Sequence, residues 1–324
     1  MANRDRKLIL HIGMHKTGST ALQRTLAANR PALAEAGADY LDFGVNHSKS
    51  VARLFYMADG AKIFHRADSP TVAETRSELG ALLERRTRPL TIVSGERFST
   101  FDADEAAQVG AYFHRFFDRI EVVCFVRPPK SHVNSAAQER LKRGETVDEI
   151  AAAPRPPAYG CLDHFDRPDD AMTVTAEIYR PGIDVVGRFL DLCRLPAGSF
   201  AGPAAERINP SLSMEAAIIL NAVNRTGIFR ESPVGRRRII AGLREIGGDR
   251  FLMPDAFLAE VAGTVATDRI GYVAGIDFSG TDIVGGAYGF ERFDHLDGDQ
   301  QKAVDTLCRR IEAQRRRQGA GGAT

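Results

Sequence analysis

Residues 7–12 read KLILHI, a nearly unbroken apolar run that stops at Gly13. The chain then passes through GMHKTGST into a stretch whose apolar residues recur with helical spacing. A short continuous apolar run suits a strand buried on both faces, the situation of a parallel strand in a sheet covered by helices. In the stretch that follows, 19–35, Ala21, Leu22, Leu26, Leu33 and Ala34 form one stripe, and Gly37 stands where a C-terminal cap is expected. Pro31 interrupts the pattern, so a break or a second short helix is expected near residue 30.

The alternation continues along the chain. Strands are expected over 90–94, 120–126 (IEVVCFV) and 172–178. Helices are expected over 70–85 with Ser69 as cap, 104–117, 129–142, 184–192, and 213–224 behind Ser213. The expected fold class is therefore α/β in three layers, a central, mainly parallel sheet with helices on both faces. Neither an internal repeat nor a composition shift marks a linker. Residues 1–318 are expected to form a single domain with loop insertions, and 319–324 a disordered tail that begins to fray near Arg315. The Pro-, Asp- and Arg-rich residues 151–170 are expected to form a surface excursion.

Composition narrows the partners. The 324 residues carry 43 Lys and Arg against 42 Asp and Glu, a formal net charge of +1, so no global field selects nucleic acid or an anionic membrane. Any anion site must be local. The run Arg236-Arg237-Arg238 has no interleaved aromatics and reads as a solvated face. The cysteines, Cys124, Cys161, Cys193 and Cys308, are scattered without a C-x-x-C pair, which indicates neither zinc nor a disulfide framework and suits a reducing compartment. The apolar run at 8–12 is too short for a signal-peptide core, and no run approaches the ~20 residues of a membrane helix. A cytoplasmic protein with no membrane span and no nucleic-acid partner is expected.

Strand, glycine-containing loop and helix in succession form a phosphate cradle of the P-loop nucleotide-binding kind, in which loop N–H groups and the positive helix end converge on one anion. A nucleotide triphosphatase loop reads G-x-x-x-x-G-K-[ST], with lysine directly after the second glycine. Here Gly13 and Gly18 have that spacing, but Ser19 occupies the lysine position and Lys16 lies on the loop itself. No apolar strand ends in an aspartate that would hold magnesium, so a mononucleotide carrying one transferable group is favoured over ATP. A second constellation follows strand 120–126: Arg127 emerges at its C-terminal end and Ser135 eight residues later, a guanidinium fork and a hydroxyl suited to a phosphate monoester.

Together these motifs resemble the family of sulfotransferases that use 3'-phosphoadenosine-5'-phosphosulfate (PAPS), its bacterial members in particular. The K-T-G-S-T string at 16–20 is similar to the family's 5'-phosphosulfate loop, and the strand followed by Arg127-Pro-Pro-Lys and Ser135 to its 3'-phosphate motif. The resemblance is specific over 7–37 and 90–143 and weaker over 178–190 and 207–217. It implies in-line transfer of a sulfuryl group from PAPS to a hydroxyl or amine of an unidentified glycan, glycolipid or small molecule, without a metal. The product is 3'-phosphoadenosine-5'-phosphate. By the same resemblance Lys16 is catalytic, contacting the leaving group and the sulfuryl. Thr17, Gly18, Ser19 and Thr20 hold the 5'-phosphosulfate, with His15 beside them, and Arg127 and Ser135 hold the 3'-phosphate. A basic segment that completes this site in animal cytosolic members has no clear copy here, and Arg207 is the residue assigned to that contact.

Transfer to a hydroxyl also needs a base. In TIVSGERFS, Glu96 lies just past a strand expected beside the first, and a similar string occurs in bacterial relatives, which makes Glu96 the candidate. The competing reading is a structural pair with Arg97 or Arg127; His15, His47, His114 and His132 are the alternative bases. An ATP-dependent kinase of related fold and a nucleotide-binding protein without turnover stand as other functional readings.

Overall fold

The fold is that of a computed structural model describing residues 6–14, 16–56, 70–180, 182–196, 200, 211–231, 236–265 and 275–320. Where one domain with loop insertions was expected, the chain clusters into two compact units, each built from three stretches. The first comprises Met1–Pro128, Ala158–Ile208 and Ala266–Thr281; the second comprises Pro129–Pro157, Asn209–Val265 and Asp282–Thr324.

The first unit contains a five-stranded sheet of β1 (Lys7–Ile12), β2 (Ala38–Tyr40), β3 (Leu90–Gly95), β4 (Arg119–Val126) and β5 (Met172–Ile178). The order is β2-β3-β1-β4-β5 and every pairing is parallel. The run KLILHI thus forms the central strand, and Leu8, Ile9, Leu10 and Ile12 are all fully buried, which explains why its sequence does not alternate. Ile9, Ile92, Val123 and Phe125 share one face and pack against Leu22 and Leu26 of helix Ser19–Ala28 and Phe189 of helix Val185–Leu192. Leu8, Leu10, Val93, Val122 and Cys124 alternate with them along the strands and are equally sealed on the opposite face. There helix Ala103–Phe113 brings Gly110 against Met172 of β5.

Helix limits follow their caps. Helix Val72–Glu84 starts behind Thr71, not Ser69, because Thr71 and Glu74 exchange the two bonds of a capping box. Asp102 and Glu105 do the same for helix Ala103–Phe113. That helix ends short of the expected residue 117, since the N–H groups of Asp118 and Arg119 go to the carbonyl of Arg6 and turn the chain into the sheet. The break near residue 30 falls at Asn29, between helices Ser19–Ala28 and Arg30–Glu35. The excursion at 151–170 is less superficial than expected. Its charged residues mask the buried Tyr159, Cys161, Leu162 and Phe165, and helix Cys161–Phe165 stacks Phe165 on Phe101.

In the second unit, helices Pro129–Lys142, Met214–Arg225, Asp255–Gly263 and Gly298–Ala320 surround a core that includes Leu141, Leu220, Val223, Phe229, Met253 and Leu258. Buried asparagines join its loops. Asn134 donates to the Phe251 carbonyl and accepts from the Met253 N–H, and Asn224 donates to the carbonyls of Leu141 and Glu145. The last helix runs to Ala320, past the fraying expected from Arg315, because Arg and Gln extend a helix readily. Among the described residues no helix is long and apolar enough to cross a membrane.

Candidate functional site

Loop 13–18 leaves the C-terminal end of β1 at the centre of the sheet. The connection after β1 runs toward β2, and that after β4 runs the other way toward β5. The edge between β1 and β4 is therefore a topological switch point, where open α/β sheets receive ligands. The root of the loop is held by Gly13 N–H donating to the Gly95 carbonyl at 3.2 Å. Thr17 then folds back, its hydroxyl donating to the Met14 carbonyl at 2.8 Å. That bond commits the Thr17 proton to the loop itself. Lys16 (φ 63°) and Gly18 (φ 82°) are both left-handed, and this pair of reversals curls the backbone before the helix begins. At Lys16 the conformation costs an L-residue about 1–2 kcal/mol, the kind of strain found at ligand clamps.

Helix Ser19–Ala28 starts behind Gly18, which has no side chain to cap it. Directly at this start the Ser19 hydroxyl is buried, at 3% exposure, and makes no hydrogen bond. A buried hydroxyl without a partner costs about 1–3 kcal/mol, and here it stands as an uncommitted donor at a positive helix end. Thr20 is exposed on the same turn.

Glu96 opens the 3-10 turn that follows β3. A Cβ placed on Gly13 would come within 2.6 Å of the Ser19 hydroxyl and 2.8 Å of Glu96 Cγ. Glycine at position 13 is thus what lets the carboxylate side chain and the serine close over the end of β1. Partial burial pushes the Glu96 carboxyl above its ordinary range, while the positive charges of Lys16 and Arg97 pull it back. Lys16, Ser19 and Glu96 therefore form one group around Gly13. The turn is anchored by Arg97 N–H donating to the Ser48 hydroxyl at 3.1 Å.

Beneath this group lies a polar cluster that sequence reasoning missed. His11 Nδ1 meets the Ser94 hydroxyl at 2.7 Å, and Gln23 of the loop's helix donates to the same oxygen at 3.2 Å. His47 Nδ1 accepts from the Ser94 N–H and its Nε2 donates to the Leu41 carbonyl. Burial lowers the two imidazoles to about 3 and about 4, so both are neutral. With both ring nitrogens engaged and no exposed surface, His47 is withdrawn as a base. The available signal was a lone polar residue, His11, inside an otherwise apolar strand.

Arg127 follows β4 at the same sheet edge, its guanidinium 4.6 Å from the centre of the Tyr179 ring. Its carbonyl accepts from the Tyr159 hydroxyl, and Tyr159 stacks on Phe278. Ser135 belongs to the second unit, half-buried on helix Pro129–Lys142, which also carries His132. The start of that helix is already capped: the Asp282 carboxylate accepts from the N–H groups of Lys130 at 2.7 Å and Ser131 at 2.8 Å. Those two donors are committed to the protein. His114 ends helix Ala103–Phe113 with Nδ1 toward the Phe117 carbonyl. His15 and Arg207 lie outside the described residues. Among the described residues no cluster of His, Cys, Asp or Glu has the arrangement of a metal site. Compared with known proteins, the chain matches no protein-family model and no curated protein.

Proposed function

We propose that the chain is a PAPS-dependent sulfotransferase acting on a hydroxyl or amine of a glycan, glycolipid or small molecule. The observation that carries this reading is the group around Gly13: a lysine on the loop, a buried unpartnered serine hydroxyl at the helix start, and a desolvated carboxylate beside both. PAPS supplies an activated sulfuryl group on a good leaving phosphate. The residues present fit its anionic half, since the helix start, the Ser19 hydroxyl and Lys16 are donors and cations, and Gly13 lets Ser19 and Glu96 approach each other over the end of β1.

In this reading Ser19 and the first turn of its helix bind the 5'-phosphosulfate, and Arg127, stacked on Tyr179, holds the 3'-phosphate. Lys16 neutralises the negative charge that grows on the bridging oxygen as the S–O bond breaks. Glu96 takes the acceptor's proton as the new O–S or N–S bond forms, and its raised pKa makes it a better proton acceptor than an ordinary carboxylate. Thr17 acts by holding the loop's shape.

Calorimetric titration with 3'-phosphoadenosine-5'-phosphate tests the reading. Micromolar binding is expected, lost in Lys16→Ala and weakened in Arg127→Ala. In Glu96→Gln, binding persists while turnover of PAPS falls by about 10²–10⁴-fold, the range supplied by a general base. Binding of ATP with magnesium in place of the adenosine bisphosphate would move the assignment to a phosphotransferase.

A further inference from the structure

At the opposite, N-terminal edge of the sheet the first unit holds a cavity of about 330 Å³ lined by Arg6, Glu84, Arg86, Arg88, Arg115 and Phe116. Three chain segments deliver its arginines, Arg86 and Arg88 sharing the one between helix Val72–Glu84 and β3. Arg6 leads into β1 and Arg88 into β3, whereas Arg86 and Arg115 follow the ends of helices Val72–Glu84 and Ala103–Phe113. Their orientation is built. Arg86 donates to the carbonyls of Leu83 and Phe116, with its guanidinium 4.1 Å from the Phe117 ring centre. Arg88 donates to the Ala34 carbonyl at 2.9 Å and to Asp39 at 2.7 Å. Arg115 lies over the rings of Tyr112 and Phe116. Arg6 faces Asp118 at 3.6 Å.

Two features set this cluster apart from arginines that merely finish helices. Two of the four precede strands, where no helix dipole favours a cation. They also converge on one concave space with a single carboxylate, Glu84, in its wall. Like charge is held together there: burial and the proximity of Arg6 both disfavour the charge on Arg86, and Asp118 and Asp39 offset this only in part. An anion in the cavity would relieve that repulsion, and planar guanidinium forks suit tetrahedral oxyanions.

We propose that this cavity is a second anion site that takes the tetrahedral oxyanion of a small phosphate or sulfate ester. Its volume is at the lower end for small-molecule sites. The six residues of β1 separate it from loop 13–18 by about 20 Å, so a ligand here does not reach Lys16, and the proposal stands apart from the function proposed above.

The test uses the full chain carrying Lys16→Ala, which removes the loop's lysine, titrated calorimetrically with inorganic pyrophosphate and with inorganic sulfate at low ionic strength. Pyrophosphate is expected to bind, and adding Arg6→Gln and Arg115→Gln is expected to weaken it by at least about tenfold. Both side chains are exposed, and Arg6 keeps its backbone bond to Asp118, so the thermal midpoint should not move. If the pair together impairs folding, Arg115→Gln alone carries the comparison. Titration with methyl phosphate and with methyl sulfate then separates the two esters, tighter binding of the first assigning a phosphate ester and of the second a sulfate ester. Failure of both pyrophosphate and sulfate to bind the Lys16→Ala protein, or an affinity unchanged by the arginine substitutions, overturns the site.

Discussion

Lys16 is left-handed without being a glycine, and it stands one residue before a threonine whose hydroxyl is spent on the loop's own carbonyl. The loop conformation therefore does not come from the lysine; the lysine is carried in it against its own preference. Replacing Lys16 by glycine and by alanine separates the two effects, since both remove the ammonium and only alanine keeps a Cβ in the left-handed region. Lys16→Gly is expected to be more stable than Lys16→Ala by about 0.5–1 kcal/mol, after allowing for glycine's greater freedom in the unfolded chain. Both variants are expected to lose binding of 3'-phosphoadenosine-5'-phosphate. Urea midpoints measure the first expectation and calorimetry the second. Equal stabilities would mean that position 16 carries no backbone strain.

At the scale of elements, legibility tracked how local the determining physics was. β1 and β4 were legible from continuous apolar runs, edge strand β5 from the alternation of MTVTAEI, and the helices behind Asp184 and Ser213 from an apolar stripe next to a cap residue. Strand β2 was not, because three residues, Ala38–Tyr40, are too short for any period to show, and it exists through pairing with β3. In the candidate site the same division holds. Lys16, Ser19 and Arg127 are visible as a motif, whereas the closeness of Glu96 to Gly13 depends on β3 lying beside β1. The cap on helix Pro129–Lys142 is the extreme case, for Asp282 lies 152 residues beyond Lys130 in sequence. Because this carboxylate takes two backbone donors, Asp282→Ala is expected to cost about 1–2 kcal/mol, and Asp282→Asn, which keeps an acceptor, much less. Denaturation of the two variants side by side checks this, and equal losses would show that the acceptor geometry is not what matters.

The whole molecule combines a nearly neutral balance of charge with neutral histidines sealed inside its first unit, and the two facts make acid its specific weakness. His11 and His47 titrate normally near 6.5 in an unfolded chain, but burial lowers them to about 3 and about 4 in the fold. Between those values the unfolded chain binds protons that the native protein refuses, so the contribution of both groups is complete above about pH 6.5 and is lost as pH falls toward 4. At pH 5 the pair is expected to have cost about 4 kcal/mol, taking 1.36 kcal/mol for each pH unit below the unfolded value. Ordinary native stabilities are about 5–15 kcal/mol, so a loss of this size is large enough to unfold a marginal protein well above the carboxylate range. Urea unfolding at pH 7.5, 6 and 5 should show midpoints falling steeply with acid. In His11→Asn the slope should be about half as steep, whatever the substitution does to stability at pH 7.5, because one of two titrating groups is gone. An unchanged slope would mean that the Ser94 cluster opens to solvent and protonates in the native state, and that β1 and β3 are not sealed together beneath the loop.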